Sequence, residues 1–175
     1  MLNRRHFGTL ALLGTAATAP SVRGENLPAG TRGIDQLEYL FWLGDAERQE
    51  ARRTAQSVLE ELDAGPTNRQ RLSGVYHRAG AAHRKRYGET ASIDRLVKGR
   101  GPLGRLRERV LQGVEGGFRM LPNYPDGEYV IVVFDSMFEQ LKDIQTEQVT
   151  LARVPTQNQW LFHDYYVNTK PYYKY

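Results

Sequence analysis

The chain has 175 residues, of which 24 are Lys or Arg and 20 are Asp or Glu, giving a formal charge of +4, and 40% are apolar. That length suits one domain plus a leader, and the composition is that of a folded chain rather than a disordered one. Cysteine is absent, which excludes disulfides, thiolate metal sites and dithiol redox chemistry.

The N-terminus, Met1-Leu-Asn-Arg4-Arg5-His-Phe7, is cationic, and Leu10 to Ala19 is short, uncharged and built from Leu, Ala, Gly and Thr. A basic start, an apolar run and a small-residue end are the three parts of an export signal. Arg4, Arg5 and Phe7 resemble the twin-arginine motif, with Asn3, Gly8 and Thr9 departing from its usual neighbours; the general secretory route is the alternative. Ala17-Thr18-Ala19 satisfies the small-x-small cleavage rule, yet Pro20 would follow the cut. Residues 1–20 are therefore read as a twin-arginine-type signal or a membrane anchor. Residues 21–34, with Gly, Pro and Arg and no periodicity, read as a linker. The expected location is the periplasm, soluble or anchored to the inner membrane.

Residues 35–168 read as one α+β domain. A first helix is expected from about Asp35 to Asp63, with an aromatic patch (Tyr39, Phe41, Trp42) near its start and Ala64-Gly65-Pro66 at its end. Thr67 or Asn68 can cap a second helix, in which Leu72, Tyr76, Ala79, His83 and Tyr87 keep helical spacing until Gly88 stops it. A third helix opens at Thr90 or Ser92, breaks over Gly99 to Gly104 around Pro102, and resumes through Leu106, Val110 and Val114 to Gly116-Gly117. Phe118 to Leu121 is a candidate short edge strand. The period then falls to two. Gly127–Phe138 puts Val130, Val132, Phe134 and Phe138 on one face and Tyr129, Ile131 and Val133 on the other. Ile144–Val154 is a second strand. Gln159–Asn168 is a third, with Trp160, Phe162 and Tyr166 opposing Leu161, His163, Tyr165 and Val167. Short connections favour antiparallel neighbours. The fold expected is α+β: N-terminal helices packed on a curved antiparallel sheet of three to four strands. Residues 169–175 form a Tyr-rich tail.

Several motifs fall in a fixed order: Leu62-Asp63-Ala64-Gly65, Arg100-Gly-Pro102-Leu103-Gly104, Arg109, Leu121-Pro122, Pro125-Asp126-Gly127-Glu128-Tyr129-Val130, Glu147-Gln148-Val149, Trp160 and Tyr165 or Tyr166. In these the chain resembles the bacterial exported family catalogued as domain of unknown function 4019, over roughly Gln56 to Val167. The resemblance implies a cystatin-like or NTF2-like cone and an exported location. It implies no activity.

Chemistry-bearing constellations are sparse. His77 and His83 are six residues apart, whereas paired metal ligands on one helix face sit one turn apart, so no metal or cofactor is expected. The glycines from Gly99 to Gly104 follow no strand and lack the Lys-Ser/Thr ending of a phosphate loop. Tyr129, Asp135, Glu147 and His163 are the candidates for a pocket in the mouth of a cone, with His163 as an acid or base. Bases dominate from Arg69 to Arg109, which suits an anionic membrane surface or an acidic partner and equally a solvated face. Candidate partner-binding residues are Phe41 and Trp42, Arg105 and Arg109, and Tyr172, Tyr173 and Tyr175 in the tail. The reading these support is a non-enzymatic accessory protein on the periplasmic side, expected to bind a protein partner and no nucleic acid; its strongest form is an extrinsic subunit of a membrane complex, tethered by an uncleaved leader. The alternative is a small-molecule binder or enzyme using the concave face. An open cone holding His163 or Glu147 favours that alternative; a cone filled by Phe134, Phe138, Trp160 and Phe162 opposes it.

Overall fold

The computed structural model describes residues 40–154, 156 and 159–169. Helix α1, Asp45–Ala64, starts after Gly44, whose N–H donates to the Glu47 carboxylate at 2.9 Å. Asp45 and Glu47 complement the positive end of the helix. Ala51, Ala55, Val58, Leu59 and Leu62 fall on one stripe and are buried. The expected start at Asp35 is corrected to Asp45; residues 35–39 lie outside the described residues. Leu40 bridges Phe118, and the Phe41 N–H donates to the Gly117 carbonyl at 2.7 Å. Leu40 and Phe41 are therefore held in extended pairing rather than helix. Gly117 permits that approach, because a Cβ there would lie 1.9 Å from the Phe41 carbonyl oxygen and its φ is +72°.

Helix α2, Arg69–His77, is capped by Asn68, whose side chain accepts from the N–H groups of Gln70 and Arg71 at 3.1 and 3.2 Å. The expected continuation to Tyr87 is broken at Ala79-Gly80. Ala79 bridges Phe162, and the Gly80 N–H donates to the Phe162 carbonyl at 3.0 Å. A tertiary pairing has overridden helical spacing. The span Ala81–Arg100, here α3, is two helical segments that meet at Gly88, whose φ of +65° and ψ of 167° are not helical, so the helix is interrupted there as expected. A 3-10 turn, Gly101–Leu103, ends the helical half where Pro102 predicts a break.

Strand β1 spans Leu106–Phe118, where the sequence suggested resumed helix and then a short strand at Phe118 to Leu121. The reason for the misreading is arithmetic: Leu106, Val110 and Val114 are spaced by four, which places residues on one side of a helix and of a strand alike. Strands β2 (Tyr129–Phe138), β3 (Gln145–Val154) and β4 (Gln159–Thr169) agree with expectation to within two residues. The sheet runs β1-β2-β3-β4, antiparallel throughout. With the helices before it, the fold is α+β as expected.

Helix α1 lies on one face and touches all four strands. Its stripe packs with Leu72, Val75, Ile93 and Leu96 of the other helices and with Val130, Val132, Phe134, Val149, Leu151, Trp160 and Phe162 of the sheet. Each large side chain buried there stabilises the fold by roughly 1.5–3 kcal/mol.

The alternation expected of β4 holds only as far as Phe162. Leu151 pairs with Phe162 and Thr150 with Asp164, so His163 is an inserted residue, a β-bulge. Beyond it the faces exchange: Tyr165 joins the core, and Tyr166 is exposed. Among the described residues no helix is long and apolar enough to cross a membrane.

Candidate functional site

Asp63 stands in the last turn of α1, where the helix dipole disfavours an anion. Two guanidinium groups reverse that. Arg100, at the end of α3, donates to Asp63 Oδ1 at 3.1 and 2.9 Å and to the Gly104 carbonyl at 2.7 Å. Arg109, on β1, donates to both carboxylate oxygens of Asp63 and, through Nε, to Glu147 Oε2 at 2.8 Å. Ser136 donates to the same Glu147 oxygen, and the Tyr165 hydroxyl donates to Oε1 at 2.7 Å. Arg100 also lies 4.4 Å from the Phe138 ring centroid. Glu147 and Arg100 are essentially inaccessible, at 0% and 1% exposure. Two cations thus meet two anions in the interior, with bonds enough to repay desolvation. Burial alone would lower the Arg109 pKa, but its bonds to Asp63 and Glu147 outweigh this and raise it. Burial, with Glu147 close by, raises the Tyr165 pKa and keeps the hydroxyl a donor.

A second buried cluster surrounds the bulge. His83 of α3 joins its Nδ1 to the His163 carbonyl and its Nε2 to the Ser92 hydroxyl at 2.7 Å. Asp164 accepts from the Tyr124 hydroxyl at 3.0 Å, the Tyr87 hydroxyl at 3.3 Å and the Arg95 guanidinium at 3.3 Å. The His163 ring packs against Tyr124, Tyr129 and His83 with centroids 4.6, 5.3 and 6.1 Å away. It is fully buried, and among the described residues neither ring nitrogen has a hydrogen-bond partner. Burial, and then the proximity of His83, pushes its pKa down to about 4. The neutral ring therefore persists at ordinary pH. Burial also lowers the His83 pKa, against the opposing pull of its bond to the His163 carbonyl.

The four pocket candidates do not form one pocket. Tyr129 and His163 pack together, while Glu147 sits in the ionic cluster on the α1 side of the sheet. Asp135 pairs across the sheet with Thr146 and Phe134 with Glu147, so Asp135 faces away from Glu147. Phe134, Phe138, Trp160 and Phe162 are all buried, and the face that a cone would open is filled. Of the partner-binding candidates, Trp42 is 87% exposed, and Phe41 is partly buried against the core. Arg105 is exposed just ahead of β1, so the expected basic helix is corrected to a strand. Arg109 is committed to Asp63 and Glu147 and is withdrawn as a surface contact. Arg4, Arg5, Phe7, Tyr172, Tyr173 and Tyr175 lie outside the described residues.

Among the described residues, grooves flank α1 on two sides. One, of about 480 Å³, lies between α1, the α2–α3 junction and the start of β4, and is lined by Arg53, Arg78, Arg84 and His77 above Val58, Trp160 and Leu161. The other, of about 240 Å³, opens beside Arg109 and carries both Arg52 and Glu60.

The model of the family described as protein of unknown function (DUF4019) matches residues 54–165, the region that holds both clusters. The chain belongs to that family. No curated protein and no solved structure matches it. Within the DUF4019 match, the sequence motifs and the ionic cluster largely coincide. Asp63 comes from the Leu-Asp-Ala-Gly helix end, Arg100 and Gly104 from the Arg-Gly-Pro-Leu-Gly turn, Glu147 from Glu-Gln-Val, and Tyr165 from the last strand. Sequence reasoning had these residues in separate motifs and missed that they meet. Asp63, Arg100 and Ser136 were never singled out as site residues; a charged residue at the boundary of an apolar helix was the available signal.

Proposed function

We propose that this DUF4019 protein is an exported, non-enzymatic accessory protein that binds a protein partner on the periplasmic side and is tethered there by its N-terminal segment. The observation that carries this reading is the filled face of the sheet. Its aromatic side chains are packed, and Glu147 already accepts from Arg109, Ser136 and Tyr165. A general base must come within hydrogen-bond reach of a substrate proton, and Glu147 is fully buried behind its three donors. Surface binding is the use that this architecture favours. Trp42 supports it: an indole 87% exposed, two residues from exposed Leu40, stands at the start of the described chain. Aromatic anchors of this kind dominate binding energy at protein interfaces. The Arg4-Arg5-x-Phe7 leader supports the location.

The test is the intact mass and native size of the protein extracted from its own membranes in mild detergent. A full-length mass within a large assembly is expected, and the co-migrating proteins identify the partner. A mass lacking the leader, in a monomeric and detergent-independent peak, would overturn the tethered-subunit reading.

A further inference from the structure

The larger groove is built by the unexpected break between α2 and α3. Because Ala79 and Gly80 pair with Phe162, the junction is drawn onto the edge of β4 and leaves a channel against α1. The charge of its lining is one-sided. Three guanidinium groups and the His77 imidazole line it, and among the described residues no carboxylate does; His77 lies 3.5 Å from Glu89, which is not part of the lining. Arg78 is neutralised from outside by Glu61 at 3.3 Å. Arg84 spends its bonds on the carbonyls of His77 and Ala79, which fix the group without cancelling its charge. Arg53 has no carboxylate partner among the described residues. The smaller groove differs on each count, since Glu60 lines it and its Arg109 is already paired. The larger groove also has an apolar lining, from half-buried Leu161 and the edges of Val58 and Trp160, which are otherwise packed in the core. Its volume lies within the range of about 300–1,000 Å³ that suits a small ligand. Arginine forks match the oxygens of phosphate and carboxylate groups.

We propose that this groove binds an amphiphilic oxyanion, its phosphate or carboxylate held by Arg53 and Arg84 and its apolar part laid against Val58, Leu161 and Trp160. The ligand is either a free amphiphile or the headgroup region of a bilayer phospholipid, which share this chemistry. The site deepens the binding role proposed above, and it can fail without the accessory role failing.

Trp160 supplies the reporter. The chain has two tryptophans, so Trp42→Phe leaves the groove indole alone. The full chain carrying that change is titrated with decyl phosphate, inorganic phosphate, phosphatidylglycerol vesicles and phosphatidylcholine vesicles while Trp160 emission is followed. A saturable response to decyl phosphate assigns a free amphiphile; a response to phosphatidylglycerol vesicles alone assigns a bilayer headgroup. Arg53→Glu and Arg84→Glu are each expected to weaken binding about tenfold, the scale of one charge-assisted contact. Arg107→Glu makes the same charge change at an exposed position on β1 and is expected to leave binding unchanged. Unaltered melting curves show that the variants fold. Three results would overturn the site: no saturable response to decyl phosphate or phosphatidylglycerol; equal binding of inorganic phosphate; or an Arg107→Glu loss matching that of Arg53→Glu, which means diffuse attraction. None of these touches the intact mass or native size, so the two proposals are judged separately.

Discussion

The two buried polar clusters, one around Glu147 and one around His163, solve the same problem differently. Around Glu147, opposite charges are brought together and the bonds of each group are shared out among its neighbours. Around His163, the chain buries a ring whose two nitrogens have no hydrogen-bond partner among the described residues and which packs edgewise with other aromatic rings. The first arrangement keeps charge inside by pairing it; the second keeps a titratable group inside by holding it neutral. One should therefore be sensitive to the loss of any member, the other to pH.

The largest effect is expected from removing one member of the paired set. Asp63→Ala leaves Arg100 and Arg109 facing each other without their shared anion, and should cost about 3–5 kcal/mol in urea unfolding. A loss below about 1 kcal/mol would mean that the cluster is not held as a unit.

Next comes acidification. A histidine whose folded pKa is lowered from 6.5 to about 4 stabilises the fold fully above the unfolded value. That contribution is lost as pH falls from about 6.5 toward about 4, because the unfolded chain binds the proton more readily. Stability should drop by roughly 2–3 kcal/mol across this window. His163→Phe should flatten much of the dependence, leaving a residue of the same sign from His83. A variant with an unchanged pH profile would remove His163 as its source.

A finer comparison uses the two tyrosines. Tyr165→Phe removes a donor from buried Glu147 and should cost about 1.5–3 kcal/mol. Tyr124→Phe removes the 3.0 Å bond to Asp164, which keeps Tyr87 and Arg95, and should cost about 0.5–1.5 kcal/mol. If Tyr124→Phe proved the costlier in chemical denaturation, the ranking of the clusters would be reversed. The smallest effect is expected at Trp42→Ala, within about 0.5 kcal/mol of the parent, since the side chain is 87% exposed. Loss of the co-migrating assembly in that variant, with stability intact, would identify Trp42 as an interface anchor.

Much of the architecture was legible along the chain. Period-two alternation located β2, β3 and β4, and Asn68, Pro102 and Gly88 marked a cap, a break and a kink. These features are set by local sterics and hydrogen bonding, which act over a few residues. The motifs that place the chain in DUF4019 were legible for the same reason. β1 was not, because a spacing of four fits both periods and only pairing with β2 selects the strand. Nor was the break at Ala79-Gly80, which needs the Phe162 carbonyl from the far end of the domain.

Of the candidate site, the sequence by itself determined which polar residues were available: Glu147, His163, Arg109 and Tyr129 were all visible as chemistry without a place. The tertiary structure decided how each is used. Register across β2 and β3 separates Asp135 from Glu147, and one inserted residue in β4 turns Tyr165 inward to meet Glu147. A strand's side-chain period is two, so a single bulge exchanges every face beyond it. No local pattern announces that exchange, because the bulge is fixed by pairing with a neighbouring strand.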